Sequence, residues 1–491
     1  MQIDIDYNHD QPGSWQRLIQ DRNTWSSTLV SFLFHTLVII LLALWWMRSE
    51  DRGPFGFIAT VDAPVALDDG ESLDRSLQFQ LPDFRQSLHD DTAEDVEQWQ
   101  QELAREMQFN ETPLLDVNLS PAIDLPMPHS TVGLPPVGGG LSGRQGDTRA
   151  ALAAARGGSE ASESAVELGL AWLAEHQWSD GGWSFHFQND RCNGKCSSAG
   201  TIESRTAATG LALLSFLGAG YTHQDGKYRQ VVDQGLKFLL NNARKATYGS
   251  NLGAASPGMT KMYSHGIATM ALCEALALTR DEALRPTATD CIRYIINAQH
   301  QRGGWRYEPR QPGDTTVTGW QLMALKSAEM AGIDVPTPVW TRAGQFLDSV
   351  ATSAGSRYGY TSPGEGLTTT SIGLLMRMYL GWDRLHGALE LGASFVAGRG
   401  PSQTDMYFNY YTTLALHHIR NDEWERWNPK MRDYLVQTQE RNGHERGSWH
   451  FHDHHGQQGG RLYTTCMAIM TLEVYYRYLP LYGWPEDWPN R

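Results

Sequence analysis

Two carboxylates stand directly ahead of apolar blocks rich in Thr and aromatic residues: Asp314 before TVTGWQLMALKSAEMAG (316–332) and Asp405 before FNYYTTLALHHI (408–419). An Asp in that place can cap a helix, and a carboxyl buried among apolar groups can serve as a general acid. Asp314 and Asp405 are therefore the candidate catalytic groups. The starts of the similar blocks carry Glu203 and Arg205, Tyr263 and His265, Trp320, Tyr407 with Tyr410 and Tyr411, and Tyr463. An aromatic-lined hollow with two carboxylates, a His and an Arg has the composition of a small-ligand site. Cys192 and Cys196 lie four residues apart and would need two further ligands to hold a metal; in an exported body a local disulfide is the expectation. Cys273, Cys291 and Cys466 fall within apolar blocks and read as buried thiols. The run His450-Phe451-His452-Asp453-His454-His455 is dense in imidazole but sits in a loop without a fixed ligand spacing. Neither a metal nor another cofactor is expected.

The elements that must position these groups repeat along the chain. One kind of block is amphipathic with an aromatic at a fixed place: GLAWLAEHQ (169–177), GLKFLLNNA (235–243), CIRYIINAQ (291–299), AGQFLDSVA (343–351), LGASFVAG (391–398) and MRDYLVQTQ (431–439). A second kind, apolar nearly all round, alternates with it: 206–220, 264–278, 316–332, 368–381, 408–419 and 463–476. A helix with one apolar stripe lies at a surface and one apolar on all sides is buried. Six of each predict an all-α fold, an (α/α)6 toroid of six outer and inner helix pairs. Three of the connecting loops share Gln, Gly and Trp: Gln177 to Gly181-Gly182-Trp183, Gln299 to Gly303-Gly304-Trp305, and Gln439 to Gly447-Ser448-Trp449. Gly permits the tight turn that ends a helix and Trp covers its apolar end, so these loops read as structural.

With these motifs the body, residues 160–480, resembles the squalene–hopene cyclase and protein prenyltransferase repeat superfamily. The segments SHGIATMALCEA (264–275), GGWRYEPRQPGDTTVTGWQLMALKSAEMAG (303–332) and NPKMRDYLVQTQ (428–439) followed by GGRLYTTC (459–466) carry the likeness, which is greatest to membrane-anchored bacterial repeat proteins of unestablished role. The resemblance implies a ligand mouth at the N-terminal ends of the inner helices. It also implies what is missing. The cyclase acid motif falls on Asp314-Thr315-Thr316-Val317, with Thr316 where the proton donor would stand, and a hydroxyl cannot protonate an alkene. The string Asp90-Asp91-Thr92-Ala93 matches that motif in letters but lies in an acidic stretch outside the repeats. The prenyltransferase zinc-binding segments fall on Thr404-Asp405-Met406-Tyr407 and Tyr463-Thr464-Thr465, so two of the expected ligands are Met406 and Thr464 and no zinc site of that kind can be built. A conventional squalene cyclase or prenyltransferase is not expected; the sequence favours a binding or scaffold module for a lipid, glycan or peptide, the alternative being an enzyme with cyclase- or lyase-like acid catalysis.

Charge settles other classes. Of the formal −15, residues 51–150 hold 18 Asp/Glu against 6 Lys/Arg, a net of −12, and residues 1–50 hold 5 against 3, a net of −2, which leaves −1 for the body. Without a cationic stripe, nucleic acid is excluded as a partner. Leu29 to Met47 is a run of 19 uncharged residues flanked by Trp25 and Trp45-Trp46. As a helix it would be about 28 Å long, enough for one membrane crossing. The expected organisation is a short tail (1–28), a single transmembrane anchor (29–47), an acidic, Pro/Gly-containing linker (48–157) and the toroid (158–491). The expected location is the bacterial cell membrane with the toroid outside the cytoplasm.

Overall fold

The computed structural model describes Thr36 and residues 142–144 and 146–477. The expected anchor (apart from Thr36) and most of the expected linker lie outside these residues. Among the described residues no helix is long and apolar enough to cross a membrane.

Fourteen α-helices occur among the described residues: α1 Gly146–Ala155, α2 Glu160–Glu175, α3 Arg205–Gly218, α4 Arg229–Asn242, α5 Lys261–Thr279, α6 Arg285–Ala298, α7 Thr315–Met330, α8 Thr337–Val350, α9 Leu367–Tyr379, α10 Gly387–Ala397, α11 Met406–Ile419, α12 Asp422–Thr438, α13 His454–Leu472 and α14 Val474–Arg477. All twelve expected blocks are helical. In α4 the buried residues are Val232, Gly235, Leu236, Phe238 and Leu239, a single stripe at helical spacing. In α3 every residue after Arg205 is buried. The sequence difference between the two kinds of helix thus becomes a difference of layer.

The inner helices α3, α5, α7, α9, α11 and α13 pack in that order, and α13 packs back on α3, so the ring is closed. Each outer helix lies over its neighbours in the inner ring, and α2 lies on both α13 and α3, spanning the seam between the last and first repeats. Close approach within the ring needs small residues. A Cβ on Gly210 of α3 would stand 2.9 Å from the Ala268 Cα of α5. Two short hairpins, β1 Arg244–Ala246 with β2 Gly249–Asn251 and β3 Ala351–Thr352 with β4 Arg357–Tyr358, follow α4 and α8.

The three Gln/Gly/Trp loops repeat one set of bonds. Trp183, Trp305 and Trp449 each donate Nε1–H back to the end of the preceding outer helix, to the carbonyls of Leu173, Ile295 and Leu435, all at 2.8 Å. Gln177, Gln299 and Gln439 each donate Nε2–H to the next outer helix or its lead-in, at Val231, Val339 and Ala165. The last of these bonds runs from the sixth repeat to the first. Gly181, Gly303 and Gly447 have φ of +88°, +79° and +93°, and a side chain there would meet a carbonyl oxygen of the neighbouring outer helix at 2.4, 1.8 and 2.2 Å. The loops are structural, as expected.

The body begins earlier than position 158. Arg144 is fully buried beneath the C-terminal ends of the inner helices. Its Nη1 donates to Glu274 Oε2 at 2.7 Å and to the Leu217 carbonyl at 3.1 Å, and its Nε to the Arg477 carbonyl at 2.8 Å. Arg477 also pairs with Glu274 (3.2 Å) and with Glu473 (2.9 Å). Two guanidinium groups and two carboxylates therefore floor the ring, and helix α1 joins this end through Arg149, which bridges Glu163 and Glu167. Residues 142–144 and 146–157, expected as linker, thus lie with the body, where Arg144 supplies a buried cation to the floor.

Candidate functional site

At the opposite end, the N-terminal ends of the inner helices, three carboxylates cap helices. Asp314 Oδ1 accepts from the Val317 N–H at 2.8 Å and Asp405 Oδ1 from the Phe408 N–H at 2.8 Å. Asp453 caps α13 through the Gly456 N–H, and its other oxygen accepts from the Met406 N–H of α11 at 2.9 Å. The helix dipole favours a carboxylate in each place. Burial opposes it, and for Asp314 and Asp405 burial dominates, raising both above the ordinary range. At Asp314 the Val317 and Thr316 hydrogen bonds and the Arg306 guanidinium pull the other way; at Asp405 the Phe408 N–H and His455 pull it down while Asp453 pushes it up.

Asp314 is wholly buried. Its Oδ1 also accepts from the Thr316 hydroxyl at 2.8 Å, and Thr316 in turn accepts from the Tyr263 hydroxyl at 2.6 Å. Its Oδ2 accepts no hydrogen bond and faces Arg306 Nε at 3.9 Å. Tyr307 and Tyr360 pair hydroxyl to hydroxyl at 2.6 Å, with Arg306 over both rings. Burial and then the Asp314 charge push the phenols of Tyr263 and Tyr360 up, so both rings lie within its field. Asp405 Oδ2 accepts from the Thr368 hydroxyl at 3.1 Å. Tyr463, whose phenol is raised first by burial and then by Asp453, Tyr407 and Asp405, joins the same group, and its hydroxyl has no hydrogen-bond partner.

The aromatic residues form one cluster. Trp320 donates Nε1–H to the Tyr407 hydroxyl at 2.8 Å, stacks on Tyr410 with centroids 6.3 Å apart, and meets Tyr411 edge-on at 6.0 Å. Tyr407 packs on Tyr411 at 5.0 Å and on His455 at 5.3 Å. The structure thus brings together Asp314, Asp405, Tyr263, Trp320, Tyr407, Tyr410, Tyr411 and Tyr463. It adds Arg306 and Tyr360, which no sequence motif singled out and which lie in the loops ahead of α7 and α9, and it draws in Thr316 from the position of the cyclase motif and Asp453 and His455 from the His-rich run, all three at an inner-helix start.

Two candidates belong elsewhere. His265 is buried with both ring nitrogens engaged, Nδ1 by the Leu252 N–H at 3.1 Å and Nε2 by the Cys291 carbonyl at 3.0 Å. It holds a place that recurs in every repeat: Thr209, Thr318, Thr370, Asn409 and Thr465 accept from the N–H of Trp183, Trp305, Tyr358, Ser402 and Trp449, at 2.8 to 3.0 Å. His265 is the second repeat's version of this loop clamp and stands apart from the Trp320/Tyr407/Tyr411 cluster. Arg205 points to the rim, where it forks onto Asp180 and lies over Phe238 (4.7 Å) and Trp178 (5.6 Å). Glu203 is exposed.

The dense His run is dispersed. His450 and His452 face each other at 4.6 Å, Asp453 caps a helix, and His455 turns to Tyr407. Cys192 and Cys196, expected as a disulfide, are free buried thiols. Cys196 Sγ lies 3.5 Å from His176 Nε2 and 3.2 Å from His444 Nδ1. Neither histidine was singled out in the sequence, where 248 residues separate Cys196 from His444.

No family model matches the chain, and no curated protein does. Similar solved structures include cellobiose 2-epimerase from Bacillus thermoamylovorans (12% identity, 64% of this chain and 98% of that one, TM-score 0.46). An inactive variant of an α-1,6-mannanase from Salegentibacter in complex with α-1,6-mannotriose is 10% identical over 65% and 99% of the chains (TM-score 0.45). A type II terpene cyclase from Scytonema in complex with merosterolic acid A is 14% identical over 65% and 96% (TM-score 0.43). The described residues form an α/α toroid, as their closed double ring of helices defines.

Proposed function

We propose that the toroid is a binding module that receives a glycan at the N-terminal ends of its inner helices, stacking sugar faces on the Trp320/Tyr407/Tyr411 cluster and engaging hydroxyls at Asp314. The observation that carries this is the Asp314 Oδ2, a buried acceptor without a hydrogen bond beside an aromatic wall. An unsatisfied buried polar atom costs about 1–3 kcal/mol, which a hydroxyl donor from a ligand removes and a hydrocarbon does not. Tyr463 offers a second such atom. A panel of glycans and prenyl lipids, read by native mass spectrometry on the full chain, tests it. Glycan binding that weakens about tenfold in Asp314→Asn, the effect of one charge-assisted hydrogen bond, is expected. Prenyl-lipid binding indifferent to that substitution refutes it. The same expectation holds the module at a bacterial membrane through Leu29–Met47 with the body outside; protease added to spheroplasts should then release the body.

A second reading, acid catalysis by Asp314 or Asp405, is favoured by the burial that keeps both carboxyls protonated to higher pH than usual. It requires turnover that Asp314→Asn or Asp405→Asn abolishes while binding persists. Squalene should yield no cyclic product, since Thr316 stands where the proton donor would and its hydroxyl is tied between Asp314 and Tyr263.

A further inference from the structure

We infer that His176, Cys192, Cys196 and His444 form a closed structural zinc site that clasps the first repeat to the last. One ligand atom from each residue lies within 4.8 Å of all the others. With Zn–S near 2.3 Å and Zn–N near 2.0–2.1 Å, a tetrahedral ion requires N···S edges of about 3.5 Å. The observed edges to Cys196 are 3.5 Å from His176 and 3.2 Å from His444. Two thiolates and two imidazoles leave no open position, the composition of a structural site, and a divalent ion on them is charge-neutral. Binding releases the two thiol protons to solvent.

The surroundings prepare these ligands. His176 Nδ1 donates to the Trp172 carbonyl at 2.7 Å, the outer hydrogen bond that fixes the tautomer and leaves the Nε2 lone pair facing the sulfur. Trp172 stacks on the imidazole at 3.9 Å and Phe187 covers its edge. Asn189 shapes the thiol loop: its Oδ1 accepts from the Cys192 N–H at 2.9 Å, while its Nδ2 donates to the carbonyls of Glu175 and Gln177 on either side of His176. On the other wall, Glu445 accepts from the N–H and hydroxyl of Ser197 at 2.6 and 2.8 Å, placing His444 over Cys196. His176, Cys192 and Cys196 are buried and His444 is partly so. His176 ends α2, the cysteines lie in the loop leading to α3, and His444 follows α12, so the ion would join the two sides of the ring's seam.

The experiment uses the full chain purified without chelator. Elemental analysis should give about one zinc per chain, and replacement by cobalt(II) should produce the thiolate charge-transfer and tetrahedral d–d bands of a Cys2His2 site. Cys196→Ser and His444→Ala should lower zinc content at least tenfold, while Cys466→Ser and His450→Ala leave it unchanged. If the variants fail to fold, the cobalt spectrum of the wild type decides alone. Absence of metal after zinc supply, zinc retained in Cys196→Ser, or a Cys192–Cys196 disulfide in the purified protein would each overturn the assignment.

Discussion

Replacing Arg144 by Ala tests whether the floor of the ring is part of the fold or an accessory. Arg144 lies outside all six repeats, yet it meets Glu274 at 2.7 Å and the carbonyls of Leu217 and Arg477 at 3.1 and 2.8 Å with no exposed surface. Breaking a buried ion pair by removing one partner costs about 3–5 kcal/mol. Glu274 keeps Arg477 at 3.2 Å, which places the expected loss at the lower end, about 3 kcal/mol. For a large domain roughly 2 °C accompany each kcal/mol, so the melting temperature of the full chain should fall by about 6 °C. Near-ultraviolet circular dichroism during heating measures it. Arg149→Ala is the control, because Arg149 pairs at the partly solvated edge of the same end and should cost about 1 kcal/mol or less. Equal, small shifts in the two variants would refute a structural floor.

Asp314→Asn should stabilise the protein at pH 7. The folded-state pKa of Asp314 is raised by burial, so its ionisation disfavours the native state progressively as pH rises above the unfolded value near 4, and the variant's advantage should vanish below that value. Denaturant midpoints at pH 7 and pH 4 measure it, and a constant loss at both would contradict the reasoning. Trp305→Phe should cost about 1–2 kcal/mol by leaving the Ile295 carbonyl without its donor, and Trp183→Phe and Trp449→Phe should match it because their bonds are the same. Chemical denaturation of the three variants tests that equivalence, which unequal losses would break.

The helical rings were legible because burial writes itself into periodicity: one stripe in 229–242, all faces in 205–218. The grouping of Trp320, Tyr407, Tyr410 and Tyr411 was legible because these residues lie at block starts. What failed depended on partners remote in sequence. Arg144 reads as a solvated charge in an acidic, Gly-rich stretch, and its partner Glu274 is 130 residues away. Cys196 and His444 meet only because the ring closes. His265 differs: it occupies a local position that Thr fills in four other repeats and Asn in one, and aligning the inner helices by that position would have assigned it to the loop clamp.

Closure of the inner ring has a consequence for how the chain acquires its structure. An open solenoid can nucleate anywhere and grow, repeat by repeat, with terminal caps to protect its ends. Here α2 needs α13 as well as α3, so the first repeat has no complete neighbourhood until the last has been synthesised. A nascent chain would carry its Trp- and Leu-rich faces uncovered for most of translation, and the final step must pay the entropy of joining segments nearly three hundred residues apart, as the Gln439–Ala165 bond does. Slow, late and concerted closure should follow, with a premature stop codon in the sixth repeat leaving an aggregation-prone arc in place of a shortened but stable array.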